Sequence, residues 1–271
     1  KWKYNKKCKE YCMPTSKAKR SKSSRSKDKK EARSLINEDS LTSEDFFQKS
    51  PLKTSLKIKE LNWTQKQKDF SRAALSDDTN IMFVKGPAGT SKSLLSVYCG
   101  IKLLNKKSVS DIMYLRSAVE SSESRLGFLP GSAEEKLSFY NLPFLDKLEE
   151  LVTNCSVEKL EKEGRISMFP VNFARGMSWN GKFIILDEAQ NSSRKEIVTV
   201  LTRLGVGSKC FILGDPMQTD LKGNDAAFER MFDLFSDDQS KSAGISTFEF
   251  TEEDIMRSEL VKFLVTKLKE F

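Results

Sequence analysis

Histidine is missing altogether from the 271 residues, and cysteine occurs only five times, at Cys8, Cys12, Cys99, Cys155 and Cys210. Structural zinc sites are built from four Cys or His ligands. Cys8 and Cys12 have the spacing of half such a site. With no histidine and no second cysteine pair nearby, a partner chain would have to supply the rest. An odd, scattered set of thiols points to a reducing, cytoplasm-like compartment. Long apolar runs are lacking too: none approaches the ~18–20 residues of a membrane span. The charged N-terminus is not followed by the apolar core of a secretory signal. The expectation is a cytoplasmic protein with no membrane partner. Hydrophobic residues make up 38%, enough for a core, while 31% charged residues and a mean hydropathy of −0.48 argue for solubility.

Charge is unevenly spread. Residues 1–30 hold thirteen Lys or Arg against Glu10 and Asp28, a net of +11; the whole chain carries +8, which leaves −3 for residues 31–271. Residues 1–50 show no helical or strand periodicity and include a Ser/Lys/Arg stretch, Ser16–Lys30. Such composition buries too little apolar surface to offset the cost of ordering, so a disordered basic arm is expected over 1–50. Its charge suits polyanions through counterion release, and the plainer alternative is a solubilising tail. A folded domain is expected over 51–271.

That region alternates strand and helix patterns. Strands are expected at Ile81–Lys85, Ile112–Leu115, Ile166–Val171, Phe183–Leu186, Lys209–Leu213 and Ser246–Phe250. Helices are expected at Gln65–Leu75, Ser93–Leu104, Leu145–Leu151, Lys195–Leu204, Ala226–Phe235 and Glu252–Leu268. This is an α/β pattern with a mostly parallel sheet and helices on both faces.

Between the first strand and the helix after it lies Gly86-Pro87-Ala88-Gly89-Thr90-Ser91-Lys92-Ser93. Glycines let successive backbone N–H groups curl toward phosphate oxygens, and the new helix adds its positive end. Lys92 is placed to reach β- and γ-phosphates, and Ser93 to put a hydroxyl on Mg²⁺. Ser91 stands where the usual G-x4-G-K-[ST] pattern has its second glycine. The apolar strand Phe183–Leu186 runs straight into Asp187 and Glu188. At the C-terminal edge of a parallel sheet Asp187 suits a Mg²⁺ contact and Glu188 suits polarising a lytic water. A third polar strand end, Gly214–Asp220, offers Gln218 as a sensor that hydrogen-bonds the γ-phosphate or the lytic water, and Asp215 to hold that loop or a water on the magnesium.

With these residues laid out, the chain resembles the PhoH-like ATPases, relatives of superfamily 1 helicases often found in bacteriophage genomes. The resemblance runs from Asn62 to Val265. It rests on the phosphate loop, on Arg116–Glu123 followed by Leu126–Gly131, on Arg175-Gly176, and on Leu186–Asn191, which reads L-D-E-A-Q-N. Leu201–Gly205, Gly214–Asp220 and Asp254–Arg257 complete it. It departs from the family at Ser91, Ser117 and Ser122, and by one extra residue before Leu126.

The resemblance implies a single three-layer RecA-like P-loop NTPase domain that hydrolyses ATP with Mg²⁺. It implies that Gln67, or alternatively Gln65, reads adenine, and that Arg203 and Arg257 are candidates for γ-phosphate stabilisation. Arginines in such ATPases often come from a neighbour, so a homo-oligomeric ring, a hexamer, is suggested, acting on RNA or single-stranded DNA in a bacterial cytoplasm. Arg116–Gly131 would contact nucleic acid or a neighbour. About 85 residues follow Asp187, too few for a second α/β domain, so unwinding by a monomer is not expected. A nucleotide-gated assembly switch and a phosphotransferase are the competing classes.

Overall fold

Ile and Phe, residue types suited to a pleated surface, supply most of the apolar side chains in the segments that pair in the sheet. The computed structural model describes Leu52 and residues 55–117, 133–221 and 227–268; all lie in one compact unit, Thr42–Phe271. The anticipated arm over 1–50, with Cys8 and Cys12, falls outside the described residues, as does most of the Arg116–Gly131 segment.

In chain order the elements are α1 (Gln65–Ala74), β1 (Ile81–Lys85), α2 (Lys92–Asn105), β2 (Asp111–Arg116), α3 (Ala133–Leu151), α4 (Asn154–Lys162) and β3 (Ile166–Pro170). There follow β4 (Lys182–Asp187), α5 (Arg194–Leu201), β5 (Lys209–Gly214), α6 (Phe228–Leu234), α7 (Asp238–Ser242), β6 (Ile245–Glu249) and α8 (Glu259–Leu268). The six strands form one sheet in the order β3-β2-β4-β5-β1-β6, with every pairing parallel. The phosphate-loop strand β1 is thus separated from the acidic strand β4 by β5 alone. β4 and β5 are buried along their whole length, which is why both read as unbroken apolar runs rather than alternating ones.

Successive side chains of a strand point to opposite faces, and the core divides accordingly. Phe183 and Ile185 join Met82, Val84, Leu95 and Phe144 on one face. Ile184 and Leu186 join Phe83, Ile197, Val200 and Phe228 on the other. Each fully buried Phe contributes about 1.5–3 kcal/mol of burial free energy. The result is the expected three-layer α/β arrangement with the sheet between two helical layers.

At the opposite end of the strands from the acidic residues, Lys182 Nζ pairs with Asp111 at 2.6 Å, and both side chains are buried. A buried charge that loses its partner costs far more than the pair contributes. Lys182→Met is expected to lower the unfolding free energy by about 3–5 kcal/mol, read as a shift of the urea midpoint at unchanged slope. An unchanged midpoint would reject the pair as a structural element.

Several boundaries differ from expectation for local reasons. The helix expected over Leu145–Leu151 is the end of the longer α3, and α4 and α7 add two unexpected helices. The helix expected over Glu252–Leu268 is broken: a 3-10 turn, Glu252–Asp254, precedes an extended Ile255, and the α-helix starts only at Glu259. Ile255 is buried, and the Met256 N–H donates to the Gly89 carbonyl at 2.9 Å. That tertiary bond removes the segment from the helix. α5 stops at Leu201 because Trp179 takes over the backbone beyond it, donating to the Arg203 carbonyl at 2.9 Å and accepting from Gly205.

Candidate active site

Register decides which side chains meet. Arg116 of β2 stands opposite Asp187 of β4, and Lys85 of β1 opposite Gly214 of β5. The loops leaving β1, β4 and β5 therefore share the C-terminal rim of the sheet, where open α/β sheets bind ligands. A cleft of ≈ 560 Å³ opens there, lined by Gly89, Lys92, Ser93, Asp187, Glu188, Asp215, Gln218 and Arg257 among others.

The loop over Gly86–Ser93 curls through two positive-φ residues, Gly89 at +88° and Ser91 at +65°. Ser91 thus reaches the left-handed region without a glycine. It precedes α2 without a side-chain cap, so the free N–H groups of that helix end remain for an anion. Gly89 is required twice over: beyond its φ, a Cβ there would fall 2.9 Å from Arg257 Cγ. Lys92 Nζ donates to the carbonyls of Gly86 at 2.6 Å and Pro87 at 2.9 Å. Burial lowers its proton affinity against the opposing pull of Asp215, Asp187 and Glu188, an ammonium short of solvation that a polyanion would relieve.

Ser93 Oγ donates to Asp187 Oδ1 at 2.9 Å, which brings the two expected Mg²⁺-holding side chains together. Hard oxygen donors of this kind, one hydroxyl and one carboxylate, fit Mg²⁺, which takes few protein ligands beside water and phosphate. Among the described residues no group of three or more Cys, Asp or Glu forms a further metal cluster. Glu188 follows in the left-handed region at φ +55°, uncommon for a side chain of its size. Gln190 Nε2 donates to Glu188 Oε2 at 2.7 Å, and Arg116 lies 3.9 Å from Oε1.

Gln218 and Asp215 also reach the cleft. Asp215 Oδ2 accepts from Gln218 Nε2 and from the Ala88 N–H, each at 2.9 Å, so one carboxylate ties the third polar loop to the phosphate loop. Arg257 is brought in by the Met256–Gly89 bond and stands beside the loop of its own chain.

Two expected residues are not at the cleft. Gln67 is buried, and its side-chain oxygen accepts the Thr64 N–H at 2.9 Å while Thr64 Oγ1 caps the Gln67 N–H. This is a capping box at the start of α1, and Gln67 is not among the residues lining the cleft. The alternative, Gln65, is exposed and donates to Asp69. Arg203 lies past the end of α5, next to Trp179 and the start of β4. α5 begins at the C-terminal rim of the sheet and runs back along it, about 12 Å over eight residues, which carries Arg203 to the far edge.

Sequence reasoning missed two contributors. Gln190 joins two parts of the site: its Nε2 reaches Glu188, and its Oε1 accepts the Asp215 N–H at 3.0 Å. Its place two residues after Glu188 was the available signal. Tyr114 donates its hydroxyl to Asp187 Oδ2 at 2.6 Å, and nothing in an apolar strand marked it.

Comparison with known proteins accords with this geometry. A family model described as PhoH-like protein matches residues 58–269. The PhoH-like protein of Mycobacterium bovis is 38% identical over 190 residues, 70% of this chain and 53% of that one. The PhoH-like protein of Bacillus subtilis is 35% identical over 203 residues, 74% and 61% of the two chains. Protein PhoH2 of Bacillus subtilis is 35% identical over 150 residues, 54% and 34%. The chain thus spans about half the length of the curated relatives it matches. A solved structure of unliganded Pif1 from a Bacteroides species superposes with a TM-score of 0.35 at 16% identity, covering 76% of this chain and 45% of that one.

Proposed function

The chain belongs to the PhoH-like protein family, and from that premise we propose that it is a Mg²⁺-dependent ATPase that works on RNA or single-stranded DNA as a homo-oligomeric ring. The observation that carries the reading is the meeting of Lys92, the Ser93–Asp187 pair, Glu188 and Gln218 around one cleft. Phosphoryl transfer needs little covalent help from a protein and depends on position and charge. Lys92 and the N-terminus of α2 would hold the β- and γ-phosphates, with backbone N–H groups of Gly86–Ser91 around them. Ser93 and Asp187 would hold Mg²⁺, whose charge offsets that of the phosphate oxygens. Glu188 would orient the attacking water, and Gln218, held by Asp215, would sense the γ-phosphate. Arg257 is placed to act within its own chain. Arg203, at the far edge, can reach a γ-phosphate only across a subunit boundary, which a hexameric ring would provide.

RNA or single-stranded DNA is proposed as the polymer from the basic residues 1–30 and the family membership, with a bacterial cytoplasm, that of a phage host, as the setting. Glu188 favours turnover over a nucleotide-gated switch, because a switch needs no water-orienting carboxylate. The test is phosphate release from Mg²⁺–ATP with and without single-stranded RNA. Turnover stimulated several-fold, with a stimulation that weakens steeply as salt rises, is expected. Nucleotide binding with no turnover under either condition would replace the ATPase reading with the switch.

A further inference from the structure

The carboxylate of Asp187 is held on both oxygens, and only one of its side-chain partners comes from the phosphate loop. Oδ1 accepts from Ser93 Oγ and from the Glu188 N–H at 3.1 Å. Oδ2 accepts from Tyr114, one strand away, at 2.6 Å. The register explains the reach: Tyr114 stands opposite Ile185, and Asp187 lies two residues further along β4, on the same face. Asp187 and Tyr114 are both buried, and a hydrogen bond to an ionised oxygen at this length is of the strong, charge-assisted kind.

Tyr114 is in turn fixed from behind. Its ring stacks on Phe144 of α3, centroids 4.9 Å apart at 22°, and Phe144 has no exposure at all. One turn on from Phe144, the same helix presents Lys147 to the cleft.

We infer that Tyr114 is a positioning residue for the metal-holding carboxylate, clamping Asp187 Oδ2 so that Oδ1 stays turned toward Ser93 and the phosphate loop. The inference rests on the Mg²⁺–ATP reading above and assigns Tyr114 a place in it. Partners behind a metal-holding side chain set its orientation, and their loss typically costs 10- to 100-fold in metal affinity or activity. A core tyrosine with no such role would leave metal dependence alone.

The experiment titrates Mg²⁺ against the affinity of a fluorescent ATP analogue for the wild-type chain and for Tyr114→Phe, which keeps the ring and its stack and removes the hydroxyl. The Mg²⁺ concentration at half effect is expected to rise on the order of 10-fold, with the affinity in excess chelator changed less than about 2-fold. Phe144→Leu, which keeps the hydroxyl and loosens the ring, is expected to move the midpoint in the same direction by less. An unchanged midpoint in Tyr114→Phe, or a larger shift in Phe144→Leu, overturns the inference and leaves the ATPase reading standing. A wild-type chain whose nucleotide affinity ignores Mg²⁺ overturns both.

Discussion

Replacing Lys92 with alanine is expected to lower ATP turnover by about 10²- to 10³-fold, the range seen when one preorganised charge-stabilising donor is removed. Lys92 is the first residue of α2, and its ammonium sits half-buried in the phosphate-loop carbonyls of Gly86 and Pro87. Asp215, Asp187 and Glu188 all act on it electrostatically. The cleft lining is acidic already, with five carboxylates against Lys92, Lys147 and Arg257, and losing Lys92 removes the cation nearest the phosphate-loop backbone. Nucleotide affinity should therefore fall together with turnover. The fold should persist, because alanine suits a helix and losing the two carbonyl bonds is partly offset by no longer burying a charge. Phosphate release at saturating Mg²⁺–ATP and a thermal melt separate the two effects. Wild-type turnover in Lys92→Ala would remove Gly86–Ser93 from the site.

Glu188→Gln is expected to separate binding from hydrolysis. The substitution keeps size, and a glutamine oxygen can still accept from Gln190 Nε2, which now meets Glu188 Oε2 at 2.7 Å. What is lost is the negative charge that would orient and polarise a water. General-base catalysis is worth about 10²–10⁴-fold, so kcat should drop by at least ~100-fold. Affinity for the same fluorescent ATP analogue should stay within about 3-fold, since no phosphate-holding group has changed. Single-turnover hydrolysis after preloading reads the chemical step alone. Turnover near that of the wild type would show that the strained backbone at Glu188, φ +55°, serves some other purpose.

Both variants probe chemistry that was legible in the residue order, because phosphate and magnesium sites of this kind are built from contiguous stretches. Eight residues after β1 carry the backbone curl, the cation and the hydroxyl, and two residues after an apolar strand carry both carboxylates. The four inner strands were legible as apolar runs because central parallel strands must be apolar on both faces, and the edge strands β3 and β6 lie within one residue of their expected bounds. Gln67 illustrates the opposite case. Thr64 and Gln67 at N-cap and N3 form a capping box that the sequence does signal, yet the family resemblance assigned that glutamine to a nucleotide. For Arg203 a motif gives residue order but not the direction in which α5 runs, and that direction puts it next to Trp179 and away from the cleft of its own chain.

By itself, then, the sequence determined the α/β class, the phosphate loop and the acidic strand end, because short-range chain geometry and residue chemistry suffice for them. Only the tertiary structure decided that Arg257 stands beside the loop of its own chain, that Gln190 links Glu188 to Asp215, and that Tyr114 holds Asp187. Those contacts depend on parallel register and on a long-range backbone bond, Met256 to Gly89. Neither leaves a mark in local composition, since the partners lie far apart along the chain.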